Sequence, residues 1–217
     1  MPSPSLTGPE LAPQSGTVKH VVILLHGVGS NGDDLIGLAP MLAPALPDTQ
    51  FLSPNGAQPF DQAPFGYQWF SLRERSHSAM LAGVQAATPT VNAYIDEVKT
   101  RFGVDDANIA LVGFSQGTMT SLYVGLRRAQ PLAGIVGFSG ALIDAENTPA
   151  SAIPVCLIHG EWDEVVPFAA MQHAEDALLK KGINVEAHAR PNLGHSIDGE
   201  GLEAAVDFLR ARFGMND

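Results

Sequence analysis

Asn108 to Gly125 reads NIALVGFSQGTMTSLYVG, and this stretch decides the fold. It opens on an apolar, β-favouring run from Ile109 to Val112. It then turns through Gly113-Phe114-Ser115-Gln116-Gly117 and continues with Met119, Leu122, Tyr123 and Leu126 at helical spacing. That order predicts strand, tight turn, helix. The turn matches G-x-S-x-G, in which a serine sits on a strained corner at the end of a strand, held at a helix N-terminus where developing negative charge is favoured. Glycines two residues to either side are expected because a Cβ there would clash where strand and helix pack.

The surrounding chain repeats the unit. Val18 to Leu25 is apolar on both faces, as expected of a central, doubly covered parallel strand, and ends in His26-Gly27-Val28-Gly29. Leu35, Leu38, Ala39, Leu42 and Leu46 mark a helix, and Phe51 to Ser53 a short strand. Pro54 to Gly83 lacks sustained periodicity and is expected to be a loop over the active site; its aromatics Phe60, Phe65, Tyr67, Trp69 and Phe70 argue against disorder. A helix is predicted from near Pro89, as a first-turn proline, to Gly103. Leu132 to Phe138 and Ile153 to Ile158 read as strands, Pro167 to Lys181 as a helix, Asn184 to Arg190 as an edge-like strand, and Gly199 to Phe213 as a final helix. Strands and helices alternate without repeat or linker, so the fold class is α/β: one mostly parallel sheet with helices on both faces. Residues 18–217 form that domain, and 1–17, rich in proline, serine and glycine, are expected to be mostly flexible, with Glu10 to Ala12 as a short edge strand.

Composition narrows the function classes. The 217 residues suit one domain. Lys plus Arg number 12 against 23 acids, a formal charge of -11, and the longest basic runs are Arg127-Arg128 and Lys180-Lys181. Nucleic acid is therefore a poor partner and anionic lipid a poor docking surface. No run approaches the ~20 apolar residues of a membrane helix, and the start of the chain has no signal-peptide pattern. A cytoplasmic protein without stable membrane insertion is expected. The single Cys156 lies in an apolar strand and reads as a core thiol.

Ligands of such sheets bind beyond the C-terminal strand ends, so the chemistry is sought there. A serine hydroxyl needs a histidine base oriented by a carboxylate, and in this fold they come in the order serine, acid, histidine. His159-Gly160-Glu161-Trp162-Asp163 follows one strand and Gly194-His195 follows the next. Ser115, Asp163 and His195 are thus the expected catalytic set, with Asp144, past the preceding strand, the other place such an acid could stand. Asp198 suits a helix cap. The backbone N–H of Gln116 is one expected oxyanion donor, and the second is expected from the His26-Gly27-Val28 loop. His26 and His159 lack ligand spacing and read as packing residues around the site; no metal or organic cofactor is expected. Ser139, in Gly137-Phe138-Ser139-Gly140, lacks the second spaced glycine and reads as structural.

With LLHGVGSNGDDL, PFGYQWFSL, LVGFSQGTM, HGEWDEVVP and GHSI in place, the chain resembles the phospholipase/carboxylesterase family of α/β-hydrolases from about Val18 to Phe213. The resemblance implies a Ser115-Asp163-His195 triad, an oxyanion hole from the N–H groups of Val28 and Gln116, and an acyl side of the cleft lined by Trp69, Phe70 and Val165. It implies a serine carboxylesterase acting on small-molecule esters of short to medium acyl chains. Acyl-protein thioesterase or lysophospholipase activity is the alternative, and a non-catalytic binding protein of the same fold the third reading. The first loop reads GVGSNG where the thioesterase branch usually has GLGDTG, and PFGYQWF resembles the bacterial esterase branch. Oligomeric state stays open, a homodimer included.

Overall fold

The structure is a computed structural model that describes residues 6–215. Its strands are β1 (Glu10–Leu11), β2 (His20–Leu25), β3 (Thr49–Leu52), β4 (Gln58–Pro59), β5 (Tyr67–Gln68), β6 (Ile109–Phe114), β7 (Gly134–Phe138), β8 (Val155–Gly160) and β9 (Val185–Arg190). Its helices are α1 (Gly32–Leu35), α2 (Ala39–Leu42), α3 (His77–Phe102), α4 (Gln116–Gly125), α5 (Ala169–Lys180) and α6 (Gly199–Arg212). Seven strands form one sheet in the order β1-β3-β2-β6-β7-β8-β9, parallel throughout except for β1, while β4 and β5 pair antiparallel as a separate ribbon.

The side-chain period of two along each strand divides the core into two layers. Val21, Ile23 and Leu25 of β2 and Ile109 and Leu111 of β6 face the layer covered by α3, α4 and α5. Val22, Leu24, Ala110 and Val112 face the layer closed by α1, α2 and α6. Both faces are buried, which is why these strands are continuously apolar. Parallel register then aligns their C-terminal ends: Leu25 lies beside Gly113, Phe114 beside Phe138 and Phe138 beside Ile158. Cys156 is fully buried, and desolvation pushes its thiol up to about 12, so it packs and does not react.

Three expectations are corrected. The helix after Pro54 to Gly83 begins at His77, not near Pro89: Ser76 caps it by accepting from the Ala79 N–H at 3.3 Å, and Pro89 sits inside. Both Pro89 and Gln85, whose carbonyl loses its partner there, are exposed, so water can satisfy that oxygen. The helix drawn through Leu35 to Leu46 is instead four short pieces, α and 3-10 alternating, because Pro40 and Pro44 each remove a backbone donor. Of the segment taken as mostly flexible, residues 1–5 lie outside the described residues. The remainder is docked: Leu6 is buried in the core, Pro9 and Thr7 carbonyls accept from Ser53 and Asn55 N–H, and β1 pairs with β3.

Behind the sheet, Arg128 is a nearly buried ionic hub that reaches Asp106 at 2.7 Å, Asp96 at 2.8 Å and Asn92 at 2.8 Å. Burial alone would raise the Asp106 pKa, but hydrogen bonds from Lys99 and Arg128 outweigh it and hold that carboxyl below its ordinary value. A depressed folded-state pKa contributes stability that is present above the unfolded value of about 3.9 and lost as pH falls through the folded one. Arg128→Ala, which leaves Asp106 buried and short of a partner, should cost about 3 kcal/mol at neutral pH. Urea unfolding of Asp106→Asn and the unmodified chain should give a gap that narrows below about pH 4; a gap independent of pH would contradict this reading of the network.

Candidate active site

The elbow is as tight as its sequence implies. A Cβ on Gly117 would stand 1.7 Å from the Leu25 carbonyl oxygen, and one on Gly113 would stand 2.4 Å from the Thr118 nitrogen, both backbone atoms that cannot move aside. The helix start is thereby pressed onto β2. Ser115 takes φ 54, a left-handed value that costs a non-glycine residue on the order of 1–3 kcal/mol and persists only where the surroundings enforce it. Here its N–H is held by the Phe138 carbonyl at 2.9 Å, and its own carbonyl accepts from Met119. Gln116 opens α4, so its N–H is among those a helix start leaves without an intrahelical partner.

Past β8, the Asp163 carboxylate is enclosed by donors. Oδ1 accepts from the Val165 and Val166 N–H groups at 2.9 and 2.8 Å, while Oδ2 faces His195 Nδ1 at 2.7 Å and His159 Nε2 at 3.2 Å. His159 Nε2 also donates to the Val166 carbonyl at 2.8 Å, so this nitrogen carries the proton. Burial raises the Asp163 pKa, but the His195 hydrogen bond and the two backbone donors prevail and hold it below the ordinary carboxylate value. An ionised Asp163 requires the proton of His195 on Nδ1, which leaves Nε2 basic. The His195 ring packs against Phe114, the residue before Ser115, with centroids 4.9 Å apart. Asp144, the other place for the acid, is instead paired with Arg127 at 3.0 Å. Asp198 caps α6 by accepting from the Gly201 N–H. Ser139 is fully buried.

The loop after β2 is fastened by the ribbon. Gly29 N–H donates to the Tyr67 carbonyl at 2.8 Å and Tyr67 N–H to the Ser30 carbonyl at 2.7 Å. His26 is fully buried: the Gly56 N–H donates to its Nε2 at 2.9 Å, so Nδ1 carries the hydrogen that bonds the Gly27 carbonyl at 2.7 Å. Trp69 Nε1 donates to the His26 carbonyl, and the Gln116 side chain accepts from Trp69 N–H and donates to the Phe70 carbonyl.

An open cavity of about 270 Å³ adjoins Ser115, with Val28, Leu72, Met80, Met119 and Val165 on its wall and Arg75 as the one charged residue there. Val28, expected as an oxyanion donor, and Val165, expected on the acyl side, both line it. Trp69 and Phe70 do not: both are buried in the core, clamped by Gln116, and the part of their segment that reaches the cavity is Leu72, Arg75 and Met80. An aromatic-rich segment carries the same signature whether its rings face a ligand or a core. The clamp that the Gln116 side chain places on Trp69 and Phe70 has no local sequence signal, because it spans 46 residues; His159, read as packing, lies four residues from the Asp163 it contacts.

A sequence model of the phospholipase/carboxylesterase family matches residues 6–213, nearly the whole chain. The chain belongs to that family. Esterase YpfH of Escherichia coli (strain K12) is 32% identical over 193 residues, 88% of this chain and 82% of that one. Acyl-protein thioesterase 1 of Yarrowia lipolytica is 29% identical over 96% of each chain. Among solved structures, esterase PE8 superposes with a TM-score of 0.91 at 41% identity, covering 95% of this chain and 99% of that one.

The geometry around His26 has a pH consequence. Burial lowers its pKa, so the neutral ring contributes stability that is present above about 6.5 and lost as pH falls through the folded value. Protonation removes the Nε2 acceptor of Gly56, and the nearest optical reporter is Trp69, whose ring centroid lies 5.3 Å away. With exposed Trp162 replaced by Phe, Trp69 is the sole tryptophan of the two. Its emission should change reversibly on acidification below about pH 6.5, and should not do so in His26→Gln; an unchanged signal down to pH 4 would count against the assignment.

Proposed function

We propose that this carboxylic-ester hydrolase is a serine esterase working through an acyl-enzyme, with Ser115 as nucleophile, His195 as base and Asp163 as the group that fixes the imidazole. The observation that carries the proposal is the 2.7 Å contact of His195 Nδ1 with a buried, donor-enclosed Asp163, following an elbow serine held at φ 54. In the first step the Ser115 oxygen attacks the ester carbonyl carbon while His195 Nε2 takes the hydroxyl proton. The Val28 and Gln116 N–H groups receive the charge that develops on the carbonyl oxygen. His195 then gives its proton to the leaving alcohol as the acyl–oxygen bond breaks, and a water activated by the same nitrogen releases the acid. Asp163 holds the cation that forms on the imidazole, and His159, with Val165 and Val166, keeps that carboxylate fixed.

The cavity volume of about 270 Å³ lies at the lower edge of the ~300–1,000 Å³ usual for ligand pockets, which favours short to medium acyl chains. A thioesterase is the second reading, supported by the similarity to acyl-protein thioesterase 1 over 96% of the chain. Ser115→Ala should lower kcat toward p-nitrophenyl butyrate by about 10⁴-fold or more with the fold intact by circular dichroism. A fluorophosphonate probe should label Ser115 and be lost in that variant. Retained turnover in Ser115→Ala would sink the mechanism, and faster turnover of a butyryl thioester than of the matched oxygen ester would select the second reading.

A further inference from the structure

Among the described residues, Arg75 is the one charged residue on a cavity wall otherwise built, apart from Ser115, from apolar side chains. The neighbouring arginine in sequence, Arg73, is spoken for by Asp61. Arg75 is exposed, and among the described residues no acid pairs with it. Its neighbour Glu74 instead accepts from the Ser76 hydroxyl at 2.6 Å, within the turn that starts α3. A guanidinium left with its donors open at the mouth of an ester-binding cavity is a ready receptor for a carboxylate, which it can grip with two parallel N–H bonds. The surrounding charge sharpens the point: with 23 acids against 12 bases the molecule repels anions in general, so this site is a local exception to its field.

Resting on the esterase reading above, we propose that Arg75 is a specificity-determining residue that selects esters whose acyl chain ends in a carboxylate, such as the monoesters of short dicarboxylic acids. The acyl methylenes would lie along Leu72, Met80 and Met119, with the ester carbonyl at Ser115 and the far carboxylate at the Arg75 guanidinium. The apolar wall supplies no other partner for that charge, so an anionic tail gains from Arg75 alone.

The test compares matched esters of equal carbon count: ethyl butyrate with monoethyl succinate, and ethyl hexanoate with monoethyl adipate, so that two tail lengths cover the reach to the guanidinium. The measured quantity is the ratio of kcat/KM for the charged ester to that for its neutral partner. In the unmodified enzyme that ratio should fall as salt is raised from 20 to 500 mM, because an exposed pair is screened. At low salt Arg75→Gln should lower it by about fivefold and Arg75→Glu by tenfold or more, the order expected for a partly exposed ion pair and its reversal. Arg75→Lys, which keeps the charge and loses the fork, should fall between the unmodified enzyme and Arg75→Gln. Ratios unchanged by all three substitutions, with neutral esters still hydrolysed, would overturn the proposal while leaving the esterase standing. Absence of turnover for every ester, together with no labelling of Ser115 by a fluorophosphonate, would remove the esterase reading and this inference with it.

Discussion

The approach of Gly117 to the Leu25 carbonyl is the constraint on which the site depends. It sets α4 directly against β2, forces Ser115 into a left-handed conformation between them, and fixes the first turn of the helix beside the loop at His26-Gly27-Val28. Any side chain at residue 117 would lift the helix away by more than an ångström, since the obstacle is backbone on both sides. Sheet and site therefore share one piece of geometry: the central strands that bury both layers of the core also hold the corner that presents the serine.

A second set of contacts surrounds that corner with polar groups in a mostly apolar setting. Burying an ionised carboxylate is costly unless its lone pairs are met by donors. Asp163 meets the condition with two backbone N–H groups and the His195 imidazole, with His159 Nε2 3.2 Å away. Across the cleft, His26, Trp69 and Gln116 exchange hydrogen bonds with backbone groups of segments far apart in sequence, so the loop after β2, the loop after β5 and the start of α4 are held as one unit. That leaves the cavity wall to Leu72, Met80, Met119 and the valines, with Arg75 open to solvent at its edge.

Much of this was legible in the chain before any coordinates. The alternation of apolar runs with helical spacing gave the sheet order's raw material, and Ser115, Asp163 and His195 stand out because each lies just past a strand, the first two after apolar strands and His195 after the edge strand β9, where parallel register brings strand ends together. Asp144 passed the same positional test in sequence; what separates the two is that Asp163 meets His195 while Asp144 pairs with Arg127. Pro89 misled because a proline usually marks a helix start; the helix continues through it at a place where both Pro89 and Gln85 are exposed. Trp69 and Phe70 misled for a related reason, as aromatic density reports the burial of rings and is silent about which surface buries them.

The sequence by itself determined the α/β alternation, the elbow and the order of Ser115, Asp163 and His195 past their strands, because these follow from local periodicity, glycine sterics and the polarity of parallel strands. Only the tertiary structure decided which acid meets His195, which face of the aromatic segment the cavity sees, and that Arg75 stands on its wall with no acidic partner among the described residues. Those outcomes depend on side chains tens of residues apart competing for the same few donors and acceptors, and that competition is settled by distance and burial in three dimensions.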